Sequence, residues 1–215
     1  MPGYILLQSF ATISTASDLK FSLDMYQEFL DKLGYVDKDT NQWLSSFTWK
    51  SLIDDGFASM HTWRSVEVNK KAYHVAPSIV GFAQDPDKGA NVSWIELSLM
   101  FEAHAITYSP HDWRYRPDTG RGIWEIMRLF FTRFTRSGVY LTDEVNDSQT
   151  WYALSGLDGK LWSFDLALVP RSFARHFSEM PSEYKNVNFE EGIALIRTNA
   201  WITDPWDDPS HRQND

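Results

Sequence analysis

VSWIELSLMFEAHAI, running from Val92 to Ile106, divides cleanly when read at a period of two residues. Ile95, Leu97, Leu99, Phe101, Ala103 and Ala105 fall on one side, and Trp94, Glu96, Ser98, Met100, Glu102 and His104 on the other. Successive side chains of a β-strand point to opposite faces, so the pattern predicts one long strand with an apolar face turned to a core. The other face combines an indole, two carboxylates and an imidazole, and is expected to stay open. Fold and function can be read from the same residues here and nowhere else in the chain.

Outward from that strand, Tyr4 to Phe10 is a short apolar run that reads as a second strand. Leu19, Leu23, Tyr26, Leu30 and Leu33 recur at spacings of four and three, one face of a helix capped by Ser17 or Asp18 and stopped by Gly34. Asn41 to Phe57 holds apolar residues for a further helix ended by Gly56, and His61 to Val68 and Tyr73 to Phe82 read as strands flanking Lys70-Lys71. Gln84 to Gly89 is turn-forming throughout. Tyr108 to Gly122 reads as a polar loop. Ile123, Met127, Phe130, Phe131 and Phe134 line a second long helix closed by Gly138, and Val139 to Thr142 is a strand that runs into the acidic loop Asp143-Glu144-Val145-Asn146-Asp147. Asp158-Gly159 predicts a hairpin between strands over Trp151 to Ser155 and Leu161 to Val169. Pro170 to Phe177 reads as a short helix and Gly192 to Trp201 as a last strand. Strands in hairpin succession that bracket two helices make an α+β fold: a mostly antiparallel β-sheet with helices packed on one face. No linker divides the chain, so residues 1–203 are expected to form a single domain, with 204–215 an acidic tail that frays.

Composition removes several function classes. Ten Trp, fourteen Phe and nine Tyr among 215 residues supply a large core. Twenty-nine acids against twenty bases leave a net charge of -9, which disfavours nucleic acid and anionic membrane surfaces and favours basic partners. The absence of Cys excludes disulfides, thiolate metal sites and a Cys nucleophile. No apolar run approaches a membrane span and MPGYILLQSF lacks the features of a signal peptide, so a cytoplasmic protein is expected.

Each candidate for chemistry has a plainer explanation beside it. Asp85, Asp87, Gly89, Asn91, Ser93 and Glu96 match the spacing of a calcium loop, yet Ala90 stands where that loop needs Gly and a strand follows in place of a helix. Glu102, His104, His111 and Asp112 hold the groups of a small metal-dependent hydrolase without any recognised ligand spacing. Gly120-Arg121-Gly122 before a helix invites a phosphate but lacks the third Gly and its strand. Six arginines between Arg114 and Arg136 against Asp118 and Glu125 make that segment net positive; pairing with the protein's own carboxylates is the simpler account. His61, His74, His176 and His211 stand alone. Most tryptophans are expected in the core, with Trp94, Trp113 and Trp206 set among polar residues as candidate exposed anchors.

Small, acidic, free of Cys, rich in aromatics and empty of catalytic motifs, the chain resembles the immunity proteins encoded beside bacterial polymorphic and type VI secretion toxins. The resemblance is one of general character over the whole chain, and no family site is carried over. It implies a non-catalytic cytoplasmic protein that neutralises a cognate basic toxin enzyme, such as a nuclease, by tight binding, with no cofactor and no metal. Trp94, Glu96, Glu102 and His104 on the open strand face, with Asp143, Glu144 and Asp147 in the acidic loop, are the expected partner-binding residues. A small hydrolase built on Glu102, His104, His111 and Asp112 and an adaptor module are the competing readings.

Overall fold

The computed structural model describes residues 3–35, 37–82, 93–109 and 112–207; of Ser109 and Asp112 it describes the backbone alone. The chain begins with strand β1 (Tyr4–Ile13) and helix α1 (Ala16–Leu33), followed by two short helices, α2 (Thr40–Ser45) and α3 (Trp49–Asp54). Strands β2 (Phe57–Met60), β3 (Arg64–Val68), β4 (Lys71–Phe82) and β5 (Ser93–Glu102) come next. One turn of helix, α4 (Ala103–Ile106), and a small ribbon of β6 (Thr107–Ser109) and β7 (Asp112–Tyr115) lead to helix α5 (Pro117–Phe131). Strand β8 (Val139–Asp143), helix α6 (Gln149–Leu154), β9 (Leu166–Val169), a 3₁₀ helix over Arg171–Phe177, β10 (Tyr184–Asn188) and β11 (Ile193–Arg197) complete the fold.

Nine strands form one sheet in the order β10-β11-β9-β8-β1-β5-β4-β2, with β3 also paired to β4, and every ladder in it is antiparallel. The α+β reading is therefore correct. On β5 the predicted alternation holds: Ile95, Leu97, Leu99 and Phe101 lie buried under α1 and α5, the two long helices, which share one face of the sheet. Phe29 of α1 stacks on Phe130 of α5 at 4.2 Å between ring centres.

Helix α1 starts and stops on local signals. Thr15 accepts from the Asp18 N–H while Asp18 accepts from the Thr15 N–H, a reciprocal cap, and Gly34 takes the left-handed backbone at the far end. Val68 pairs with Lys71, so Asn69 and Lys70, both at positive φ, form the two-residue turn of the β3–β4 hairpin.

Several expectations are corrected: α1 is capped by Thr15 and not by Ser17 or Asp18, and the expected loop Tyr108 to Gly122 contains β7 and the first turns of α5. The strand from Val92 ends at Glu102, opposite the first residue of β1, so Ala103 to Ile106 has no partner strand and the alanine-rich chain coils into α4. Trp151 to Leu154 is helical, not a hairpin arm, and Gly159 serves close packing: a side chain there would come within 2.5 Å of the Gln149 carbonyl oxygen. The segment His61 to Val68 is interrupted, with strand only at Arg64–Val68 and β2 lying earlier. Asp204 to Asp207 is docked, through an ion pair from Asp204 to Lys185 at 2.7 Å and the packing of Trp206 on Trp124. The turn at Gln84–Gly89, His111, His211 and the rest of the tail lie outside the described residues.

The second face of the sheet is not open. Helix α6, the segment after it and the 3₁₀ helix pack Trp151, Phe164 and Phe177 over Phe10, Trp94, Tyr140 and Tyr184, giving a second aromatic core. Trp151 lies flat on Phe10 at 5.0 Å, and Trp94 stacks on Phe82 at 4.0 Å. Trp94 and Glu96 are thus interior residues, 2% and 3% exposed, and not surface anchors.

Candidate functional site

Pairing of β1 with β5 sets Tyr4 opposite Glu102, and pairing of β5 with β4 brings His74 level with them. Glu102 lies between two imidazoles, 3.5 Å from His74 Nδ1 and 3.6 Å from His104 Nε2, each an ion pair only when the histidine is protonated. Trp63, just ahead of β3, stacks on both Tyr4 (5.6 Å) and His74 (5.2 Å). Three aromatic rings and a carboxylate therefore form one row on the part of the second face that the helices leave uncovered. Tyr4 is 37% exposed and the side chain of His104 76%.

The acidic loop between β8 and α6 adjoins that row. Asp143 accepts from the backbone N–H groups of Val145 (3.1 Å) and Asn146 (2.9 Å) and from Asn146 Nδ2 (2.9 Å), which closes the loop as a tight turn. Glu144 accepts from the N–H of Gly3 at 2.9 Å, the residue before Tyr4. Asp147 accepts from Gln8 Nε2. The loop is thereby fastened to β1 at two points and presents Val145, 73% exposed, between carboxylates.

Two enclosed carboxylates flank the loop. Below it Glu96 accepts from Gln8 Nε2 at 2.8 Å, from Ser98 and from Ser148, the last held at a φ of +56°. Burial pushes the Glu96 carboxyl up to about 7, and the Asp147 charge adds to the shift. On the other side, a cleft of about 220 Å³ is lined by Asp143, Asn146, Asp165, Glu183 and Arg197. Asp165 accepts from the Tyr115 hydroxyl at 3.0 Å and lies 3.5 Å from Arg197 Nη1, and burial raises it to about 6.

Glu102, His104, Asp143, Glu144 and Asp147 thus belong to one surface, joined through Gly3 and Tyr4. Glu96 lies beneath the loop, held by Gln8 and Ser148, while Trp94 packs on Phe82 and Trp151 in the second core. Tyr4, Trp63, His74 and Val145 were not among the sequence candidates. Only the β4–β5 pairing places His74, read as isolated, beside Glu102. Among the described residues no three His, Cys, Asp or Glu side chains are placed to hold a metal ion, and His111 and the side chain of Asp112, which complete the hydrolase set, lie outside the described residues. Glu96, the twelfth position of the calcium spacing, is engaged inside the protein. Several arginines pair internally as expected: Arg121 with Glu125 at 2.7 Å, Arg128 with Glu191 at 2.9 Å and Arg133 with Glu28 at 3.4 Å. Trp113 remains 40% exposed. No helix among the described residues is long and apolar enough to cross a membrane.

No protein-family model matches the chain, and no curated protein matches it. Among solved structures, it is similar to the Pseudomonas aeruginosa T6SS protein PA0821, with 10% sequence identity and a TM-score of 0.41. The alignment covers 90% of this chain and 66% of that one, so this chain spans just under two thirds of its length.

Proposed function

We propose that this protein is a non-catalytic, cytoplasmic binding protein that neutralises a basic protein partner of the toxin-enzyme kind. Its contact surface is the strip from the loop Asp143–Asp147 through Tyr4 to Glu102, His74 and His104. The observation that carries the reading is the fastening of the acidic loop: hydrogen bonds from Gly3 and Gln8 hold it in place, with an exposed Val145 between carboxylates. A loop already ordered loses less conformational freedom on binding, so more of its contact energy appears as affinity. Stacked Tyr4 and Trp63 supply rigid aromatic area of the sort that dominates interface energetics. Asp143, Glu144, Asp147 and Glu102 supply the field that draws a basic surface in. Glu96 contributes from beneath, through the Gln8 and Ser148 side chains that adjoin the loop, whereas Trp94 is committed to the second core.

The test is to purify the protein together with the product of the adjacent gene and to express both in one cell. Co-elution, and survival of cells that carry both, are expected. Failure to co-elute together with failure to protect overturns the proposal.

A further inference from the structure

A separate groove lies at the opposite end of β1, and its chemistry goes beyond the reading above. On the side away from β5, β1 is paired with β8 only through Gln8, so among the described residues Phe10 to Ile13 have no strand neighbour there. The chain over residues 132–137, after α5, swings wide of β1 and leaves a groove of about 600 Å³ between that turn, α1 and the second core. This lies within the range of small-molecule sites, roughly 300–1,000 Å³. Phe21, 65% exposed, stands on its wall with Met25, Phe134, Trp151 and Phe173.

Of its polar side chains, Arg133, Arg136 and Trp151 only donate, Asp18 accepts, and the remainder are hydroxyls. Arg133 and Arg136 both line it. Among the described residues, Trp151 Nε1 and Arg133 Nε are buried without an acceptor, while Arg133 Nη2 lies 3.4 Å from Glu28. A buried donor left unpaired costs about 1–3 kcal/mol, and a ligand carboxylate that reached either nitrogen from the groove would relieve that cost. Arg136 has no ion-pair partner among the described residues. The acid at the rim, Asp18, is already committed: its carboxylate accepts from the Thr15 hydroxyl at 3.0 Å and from the N–H groups of Ser14 and Thr15 at 3.0 and 2.8 Å, bonds that hold its pKa low.

We propose that this groove binds a small carboxylate carried on an apolar body, an aliphatic chain or an aromatic ring, with the carboxylate toward Arg133, Arg136 and the Trp151 N–H and the apolar part against Phe21 and Met25. The probe is octanoate, titrated into the full chain by calorimetry, with 1-octanol as the uncharged control and 3-phenylpropionate as the aromatic member of the class. Saturable one-to-one binding of octanoate is expected, about tenfold or more tighter than octanol, as charge-assisted hydrogen bonds would give. Trp151→Phe keeps an aromatic ring, though a smaller one, and removes the donor; Arg136→Gln alters an exposed rim and leaves the core intact. Each is expected to weaken octanoate several-fold and leave octanol unchanged, whereas Phe21→Ser weakens both. Absence of saturable binding up to about 10 mM, equal affinity for octanol, or unchanged binding in both Trp151→Phe and Arg136→Gln overturns the proposal. So does binding confined to an acidic, Phe-containing peptide, which would make the groove a protein-docking site. Co-elution with a toxin partner does not bear on these readouts, so the two proposals fail independently.

Discussion

The carboxylate of Glu96 accepts hydrogen bonds from Gln8, Ser98 and Ser148 beneath the loop that carries Asp147, and burial with that added charge pushes it up to about 7. Its ordinary value is 4.5. Between those two values the folded chain holds more protons at this site than the unfolded chain, so stability falls as pH rises across that window and is lowest above it. Asp165, raised to about 6, acts with the same sign. Denaturant midpoints are therefore expected to be higher at pH 5 than at pH 8. Glu96→Gln should flatten that slope by an amount on the order of 1 kcal/mol, and Asp165→Asn should remove more of it. A Glu96→Gln protein with the parent's pH slope would contradict this account. Nothing in the sequence around Glu96 marks it as buried, because its position on the polar side of an alternating strand is the usual place for a solvated acid. Its burial depends on residues about fifty positions away.

Among the elements, α5 shows why a motif and its cause differ. Gly120-Arg121-Gly122 lies inside the helix, which opens at Pro117, and Gly122 is there because Tyr73 of β4 lies against it: a Cβ at Gly122 would stand 2.0 Å from the Tyr73 hydroxyl, which donates to the Thr119 carbonyl at 3.0 Å. Gly122→Ala should therefore destabilise the protein by about 1–3 kcal/mol, although alanine is the better helix former. Thermal or denaturant unfolding measures this, and a stabilised variant would refute it. Helix α1 was legible in its periodicity and in its Gly34 stop, while its N-cap is Thr15 and not Ser17 or Asp18, the latter serving as the N3 partner of the cap. Helix α6 was not. Its six residues carry too little periodicity to outweigh the Asp158-Gly159 turn signal, and what decides the element is the contact of Trp151 with Phe10 across the sheet.

For the whole molecule, four of the acids behind the net charge of -9, Asp143, Glu144, Asp147 and Glu102, are gathered on one surface that joins three strands. If that surface takes a basic partner, association should slow about tenfold or more between low and high salt, because exposed charges are screened within about 10 Å at 0.1 M. Glu102→Lys with Glu144→Lys should abolish most of that dependence without unfolding the chain. Stopped-flow association across a salt series measures it, and a salt-independent rate would speak against electrostatic capture. By itself the sequence determined the α+β class, the two long helices, the apolar face of β5 and the acidic loop, because period, caps and turn residues act over a few neighbouring positions. The tertiary structure alone decided that Trp94 and Glu96 are interior, that His74 meets Glu102, and that the loop is fastened to β1. Strand register and the covering of a sheet face by a distant segment are set by packing between parts of the chain far apart in sequence, and no local pattern encodes them.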